Sequence, residues 1–461
     1  MTGGVTALGA SAPDASGVLE TSSPDATAVP AASGGGSAAP GPAARRAVAA
    51  ASLGTVLEWY DFFLYGTAAA LVFPTLFFPG TDPLTGILLS FAVYATGFLA
   101  RPVGGLLAGA LGDRHGRRRV LLATLLLMGV ATAAIGLLPT YAQVGAWAPA
   151  LLVALRLLQG LATGGEWGGA VLLALEHARL GRGVRGGIVS SAVYVGLVLG
   201  NLAFVVLVAV LDESALLAWG WRVPFLASLL LLGVGAYLRY RVDETPEFVA
   251  LARHDGRARR PLVAVLRRPR NVIAVFLVRV GQNTSFYVIS VFCLGYAATV
   301  LGLERWVTLT ALLVGAVIAA LLCPIWGAIG DRIGPGRLIT AALAGLGVLA
   351  VPLFLVLDSG SAWLVIAVIA LAIGGVNAAG DGPQPAYFTS LFHPSVRYSG
   401  ISIGREAAGI VGGGLAPLAA TALVAWAGHW WPVAAMMIVA AALGVLGTRL
   451  GRPESGAAVR G

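Results

Sequence analysis

Long apolar runs alternate with short polar breaks from residue 47 to residue 449. Twelve runs stand out, at 47–78, 84–111, 119–139, 147–175, 187–211, 221–240, 271–300, 307–329, 338–357, 361–390, 398–426 and 429–449. About 20 helical residues cross a hydrocarbon core of ~30 Å, and each run reaches that length. The pattern therefore predicts an all-α membrane protein of twelve transmembrane helices. The break at 357–361 is short, so the ninth and tenth runs are the least clearly separated. The polar stretch at 242–270 is the longest and leaves six helices on either side. The expected organisation is a tail at 1–45, a six-helix lobe at 46–241, a loop at 242–270, a second six-helix lobe at 271–450 and a tail at 451–461.

Composition agrees with this pattern. The chain is 58% hydrophobic and 11% charged, against about 25% charged in soluble domains. Such a chain has too few polar groups to cover a water-facing surface. Residues 1–44 hold small residues, prolines and a few acids, with no aromatic and no basic residue. A secretory signal needs early positive charge and then an apolar core, so this tail is expected to be disordered.

Charge adds direction. All 30 basic residues are Arg. With the amino terminus inside, 24 of them fall in inner segments, and Arg222 and Arg305 alone fall in outer loops. Cationic residues are retained on the cytoplasmic side of membranes. Both tails and the basic 242–270 loop are therefore expected in the cytoplasm, and the protein in a bacterial inner membrane. Arginines arranged this way mark topology, not a nucleic-acid groove. A phosphate-binding P-loop needs Lys, as does Schiff-base chemistry, so neither an ATP site nor a pyridoxal enzyme fits a chain without Lys. Cys293 and Cys323 lie in apolar runs and read as small buried hydrophobes. No cofactor, metal or catalytic site is expected.

One motif occurs twice. Gly109-Ala-Leu-Gly-Asp113-Arg114-His-Gly116 follows the second run, and Gly327-Ala-Ile-Gly-Asp331-Arg332-Ile-Gly334 follows the eighth, 218 residues later. A repeat at half length is the mark of a two-lobed carrier. With Arg117 and Arg118 after the first copy, this loop resembles the signature of the major facilitator superfamily. Arg156-Leu-Leu-Gln159-Gly160 resembles its second motif. Three further stretches narrow the resemblance: Leu57-Glu58-Trp59-Tyr60-Asp61-Phe62-Phe63-Leu64-Tyr65-Gly66, Gly164-Gly165-Glu166-Trp167-Gly168-Gly169 with Glu176-His177, and Gly220-Trp221-Arg222-Val223-Pro224-Phe225 with Glu244-Thr245-Pro246-Glu247-Phe248. Together they resemble the metabolite:proton symporters. That resemblance implies a major facilitator fold and transport of an organic acid such as shikimate, 2-oxoglutarate or citrate, or of a zwitterion such as proline or betaine. The chain departs from the family pattern where Gln282 and Ser390 stand in place of Glu, and Asp381 is an unusual addition.

Charges inside a bilayer are costly and mark function or pairing. Arg101, Arg156, Arg279 and Arg405 fall within predicted helices. Glu58 and Asp61 are three residues apart and share one helix face, which Tyr65 extends. Two readings stand for these carboxylates: proton coupling, with Asp61 preferred and Glu166 a further candidate, or permanent pairing with Arg101 or Arg156. One of those arginines is expected on Asp61, to be released to a substrate anion when Asp61 is protonated. Arg279, Gln282, Asn283, Phe286, Tyr287 and Ser290 form one helical stripe, so Arg279, Gln282, Asn283 and Tyr287 join Arg101, Arg156 and Tyr65 as substrate-binding candidates. Arg405 and Glu406, being adjacent, are expected to point apart and pair across helices. Gly109, Asp113, Arg114, Gly116, Arg117, Asp331 and Arg332 are expected to latch the inner face. The expected function is proton-coupled symport of a small organic anion or zwitterion; the alternative is a uniporter or exporter of the same fold.

Overall fold

The computed structural model describes residues 42–81, 83–115, 117–176, 181–240, 269–393 and 396–453. The expected 242–270 loop, most of both tails, His177 and the Glu244–Phe248 motif lie outside the described residues. So does Gly116, and no side chain is described at 109, 113, 114, 117 or 176, so the expected latch at the first motif copy lies there too.

Among the described residues twelve long helices cross the fold: α1 (Pro42–Leu71), α2 (Pro83–His115), α3 (Arg117–Gly136), α4 (Trp147–Leu175), α5 (Arg182–Val210), α6 (Arg222–Tyr240), α7 (Arg270–Ala297), α8 (Arg305–Ile333), α9 (Pro335–Asp358), α10 (Ala362–Ser390), α11 (Arg397–Ala427) and α12 (Trp431–Leu450). Eleven of them are long and apolar enough to span a membrane on length and hydropathy alone. The twelfth is α1, 30 residues long, which carries Glu58 and Asp61. The short break between the ninth and tenth runs is real: Ser359–Ser361 separate α9 from α10. Turns of wider π-helix interrupt α7 at Val288–Phe292, α10 at Leu371–Asn377 and α11 at Gly409–Leu415.

The repeat seen in the motifs extends to packing. In the first half α1 packs on α5 and α6, α2 on α4, and α3 on α6; in the second α7 packs on α11 and α12, α8 on α10, and α9 on α12. The halves meet along α5 and α8 and along α2 and α11.

Hydrocarbon offers helices no hydrophobic drive to associate, so contact rests on close packing of small residues. A Cβ on Gly164 of α4 would overlap the Arg101 carbonyl of α2, and one on Gly160 would overlap the Gly97 carbonyl. Across the halves, Gly183 and Gly187 of α5 stand in the same way against Gly327 and Cys323 of α8.

Surface polarity is inverted relative to a soluble protein. Leu230, Val348 and Leu321 face outward, while Glu58, Asp61, Arg101, Arg156, Glu166, Arg279 and Arg405 are buried. The exposed tryptophans Trp147, Trp219, Trp306, Trp363, Trp426 and Trp431 gather at one end of the bundle. Interfacial tryptophans mark the headgroup level. The opposite, arginine-rich end holds the two motif copies. At the tryptophan end, Arg222 donates to the Gly136 and Leu138 carbonyls at 2.9 and 2.7 Å, closing the end of α3.

The clash at Gly164 is with backbone, which no rotamer change can relieve. Gly164→Ala is therefore expected to force α2 and α4 apart, at ~1–3 kcal/mol. Thermal unfolding of the purified variant in detergent should show a lower midpoint; an unchanged midpoint would mean that the two helices are not held at this distance.

Candidate functional site

Glu58, Asp61, Arg101, Arg156, Arg279 and Arg405, all buried, collect around two small cavities. The first lies within the first half and is lined by Glu58 and Asp61 of α1, Arg101 of α2, and Arg156 and Gln159 of α4. Spacing of three places Glu58 and Asp61 on one face of α1, as expected. Arg101 Nη1 stands 3.6 Å from Glu58 and 3.9 Å from Glu406 of the other half. Its guanidinium also covers the rings of Phe62 and Phe98, at 5.3 and 4.9 Å from their centroids.

The expected ion pair on Asp61 is not formed. Neither Arg101 nor Arg156 bridges it. Asp61 Oδ2 instead accepts the Thr132 hydroxyl at 2.5 Å, and Oδ1 has no hydrogen-bond partner among the described residues. Arg156 makes no ion pair among the described residues. Its Nη1 donates to Gln159 Oε1 at 2.7 Å, and its guanidinium lies 4.1 Å above the Tyr65 ring. Gln159 Nε2 donates to Thr132 Oγ1 at 2.7 Å. A chain of hydrogen bonds thus runs Arg156–Gln159–Thr132–Asp61, from an unpaired cation to an unpaired carboxylate. Thr132 fills the place that was expected for an arginine.

The second cavity lies between the halves, lined by Trp59, Trp167, Phe286, Arg279, Asp381 and Arg405 among others. The helix-seven stripe faces it: Gln282 and Asn283 line it beside Arg279. Arg279 donates to Asp381 at 3.0 Å and to Gln384 at 2.8 Å. Asp381 also accepts from the Tyr194 hydroxyl at 2.5 Å and from Asn377 at 3.2 Å. Gln282 accepts from Gln384 and donates to the Asn377 carbonyl. With an uncharged amide at 282, the negative partner of Arg279 comes from Asp381 on α10.

Other expected residues are placed differently. Tyr287 packs against Phe62 and Phe98 and does not line either cavity. Arg405 and Glu406 do not point apart. The long Arg side chain folds back, with Nη1 2.5 Å from Glu406 Oε1, while its guanidinium covers Trp167 at 4.4 Å. Glu166 lines neither cavity and is paired with Arg239, which also donates to the Leu121 carbonyl at 2.6 Å; Thr124 donates to Glu166 at 3.2 Å. This group ties α3, α4 and α6 together. Arg239, in the last turn of α6, is only 2% exposed.

At the arginine-rich end, the Asp331 carboxylate accepts the Gly183 N–H, with both oxygens at 2.9 Å. That donor is an orphan of the first turn of α5. Arg182 donates to Thr389 at 3.2 Å and Tyr398 to the Gly165 carbonyl at 2.5 Å. These bonds join the halves at this end. Arg332, beside Asp331, is exposed.

The sequence reading did not select Thr132, Tyr194, Asn377, Gln384 or Arg239. Gln159 sits three residues after Arg156 in a motif already noted, and that spacing was the available signal. Asp381 was visible as an unusual acid, without its partner.

Known proteins resemble this chain over most of its length. A sequence model of the Major Facilitator Superfamily matches residues 51–405. The shikimate transporter of Escherichia coli K12 is 40% identical over 409 residues, covering 86% of this chain and 91% of that protein. The glycine betaine/proline/ectoine/pipecolic acid transporter of Dickeya dadantii 3937 is 31% identical over 417 residues, covering 87% and 82%. Among solved structures, a proton:xylose symporter bound to 6-bromo-6-deoxy-D-glucose superposes with a TM-score of 0.68 at 18% identity, covering 88% of this chain and 94% of the symporter. At that identity the likeness speaks for the fold alone.

The Arg239–Glu166 pair generates a prediction. Arg239→Leu leaves a buried carboxylate without its cation and should cost ~3–5 kcal/mol, whereas the double variant with Glu166→Leu should recover most of the loss. Thermal midpoints of the three proteins decide it; a single variant as stable as the parent would remove the tie.

Proposed function

The chain belongs to the Major Facilitator Superfamily, among its metabolite transporters, and on that premise we propose that it couples the uptake of a small organic anion to a proton. The observation that carries this reading is the first cavity, where Asp61 and Arg156 are both buried, both unpaired and linked by two hydrogen-bonded side chains. A charge withdrawn from water is tolerated when paired or neutralised. Asp61 is neutralised by a proton, and Arg156 by the carboxylate of a substrate. Loading both together leaves the site without excess charge, which is the condition for carrying it between two membrane faces. Arg presents a planar fork suited to a carboxylate. The shikimate transporter among the relatives acts on such an anion.

In this reading Asp61 is the proton carrier, with Glu58 beside it held by Arg101. Arg279, Gln282, Asn283 and Arg405 approach the substrate from the second cavity. The Asp331–Gly183 contact closes the arginine-rich end, which faces the cytoplasm of a bacterial cell by the positive-inside pattern. A second reading, transport of a zwitterion, is favoured by Trp59, Trp167 and Phe286 in the second cavity. Aromatic faces of this kind hold quaternary ammonium groups.

The test is uptake into liposomes of purified protein under an imposed pH gradient, with shikimate and glycine betaine as probes. Asp61→Asn should abolish accumulation above equilibrium while substrate exchange persists, and Arg156→Gln should lose the anion in both modes. An Asp61→Asn protein that still concentrates substrate would sink proton coupling at this residue. A parent protein indifferent to the gradient would instead support a uniporter.

A further inference from the structure

Thr132 offers one hydroxyl hydrogen to two acceptors. Its Oγ1 lies 2.5 Å from Asp61 Oδ2 and 3.0 Å from the carbonyl of Met128, one turn back on α3. The same oxygen accepts from Gln159 Nε2 at 2.7 Å. A hydroxyl has one hydrogen and two lone pairs, so these three contacts admit two arrangements. With Asp61 ionised, Thr132 donates to it. With Asp61 protonated, the carboxyl donates to Thr132, and the Thr132 hydrogen turns to Met128. Residue 128 lies four positions back within the same helix, so its carbonyl has the main-chain N–H of residue 132 as a helical partner whether the hydroxyl turns to it or not. The Gln159 donation is the same in both arrangements, and so is its contact with Arg156.

Among the described residues Asp61 has no other hydrogen-bond donor, and its Oδ1 is unpartnered. The charged groups that face it are Arg156 from α4 and Glu58 from its own helix. Arg101 of α2 lines the same cavity, and Tyr60 turns its hydroxyl to the Pro224 carbonyl of α6.

We propose that Thr132 is a positioning residue for the coupling proton, its hydroxyl turning between Asp61 and the Met128 carbonyl so that Asp61 is accommodated charged or neutral in one geometry. Proton loading then requires rotation of a single O–H bond. Arg156 remains held by Gln159 and presented to the substrate throughout. This inference rests on Asp61 being the proton carrier.

The test needs no substrate. Infrared titration of the purified protein follows the carbonyl stretch of protonated carboxyl groups, and the band absent from Asp61→Asn belongs to Asp61. A hydrogen bond to a charged group favours the charged form. Thr132→Val removes it and should move the midpoint of that band to higher pH by about one unit or more. Thr132→Ser keeps the hydroxyl and should stay within a few tenths of a unit of the parent. Thr132→Ala supplies the same readout if valine disturbs packing. A valine or alanine midpoint equal to the parent, or a serine midpoint displaced as far as valine, overturns the role of Thr132 alone. If no titrating band is lost in Asp61→Asn, the proton-carrier reading fails and this inference with it.

Discussion

A charge in hydrocarbon must find a partner inside the protein, and the interior of this bundle is arranged around that constraint. Leu230, Val348 and Leu321 face outward, while the ionised groups of the middle of the bundle, Glu58, Asp61, Arg101, Arg156, Arg279 and Arg405 among them, turn inward. There most of them are matched: Arg239 with Glu166, Arg279 with Asp381, Arg405 with Glu406, and Arg101 between Glu58 and Glu406. Against that background the missing bridge between Arg156 and Asp61 gains its meaning. Those two groups are left without an ion-pair partner while the charges around them are matched, and the proposed coupling is built on them.

The two halves repeat their helix pairings but not their charges. In the second half Asp381 is engaged by Arg279, Tyr194 and Asn377 and sits in a filled network. In the first half Asp61 has, among the described residues, a single donor and an unpartnered oxygen. The asymmetry lies in these two carboxylates: Asp381 is ion-paired to Arg279, whereas Asp61 has no ion pair among the described residues. Gln282 belongs to the Asp381 network, linking Gln384 to the α10 backbone without adding charge.

How much of this was legible in the sequence depended on range. Helix number and the six-and-six division follow from length, hydropathy and a repeated motif, all local signals that lipid enforces strongly. Faces were legible too: Glu58 and Asp61 share one, and the Arg279 stripe does line a cavity. Partners were not. Whether Arg156 reaches Asp61 depends on a third helix, where Thr132 comes first. Arg239 was concealed by its neighbours, because a buried arginine next to a basic loop has no distinguishing spacing. The backward fold of Arg405 onto Glu406 is a rotamer choice, made by the Trp167 face on another helix.

The contact between Asp331 and the Gly183 N–H has a consequence for turnover. A backbone donor needs no side-chain search to be found again, because its direction is set by the helix that carries it. When the halves part, water can take both ends of the bond, so the net difference is on the order of 1 kcal/mol although the bond in place is strong. A closure of this kind is specific in position yet shallow in depth. On the proposed cycle, parting and rejoining the halves cancel over each turnover, so a contact of this kind would set how readily the cycle runs and not how far the cargo is concentrated.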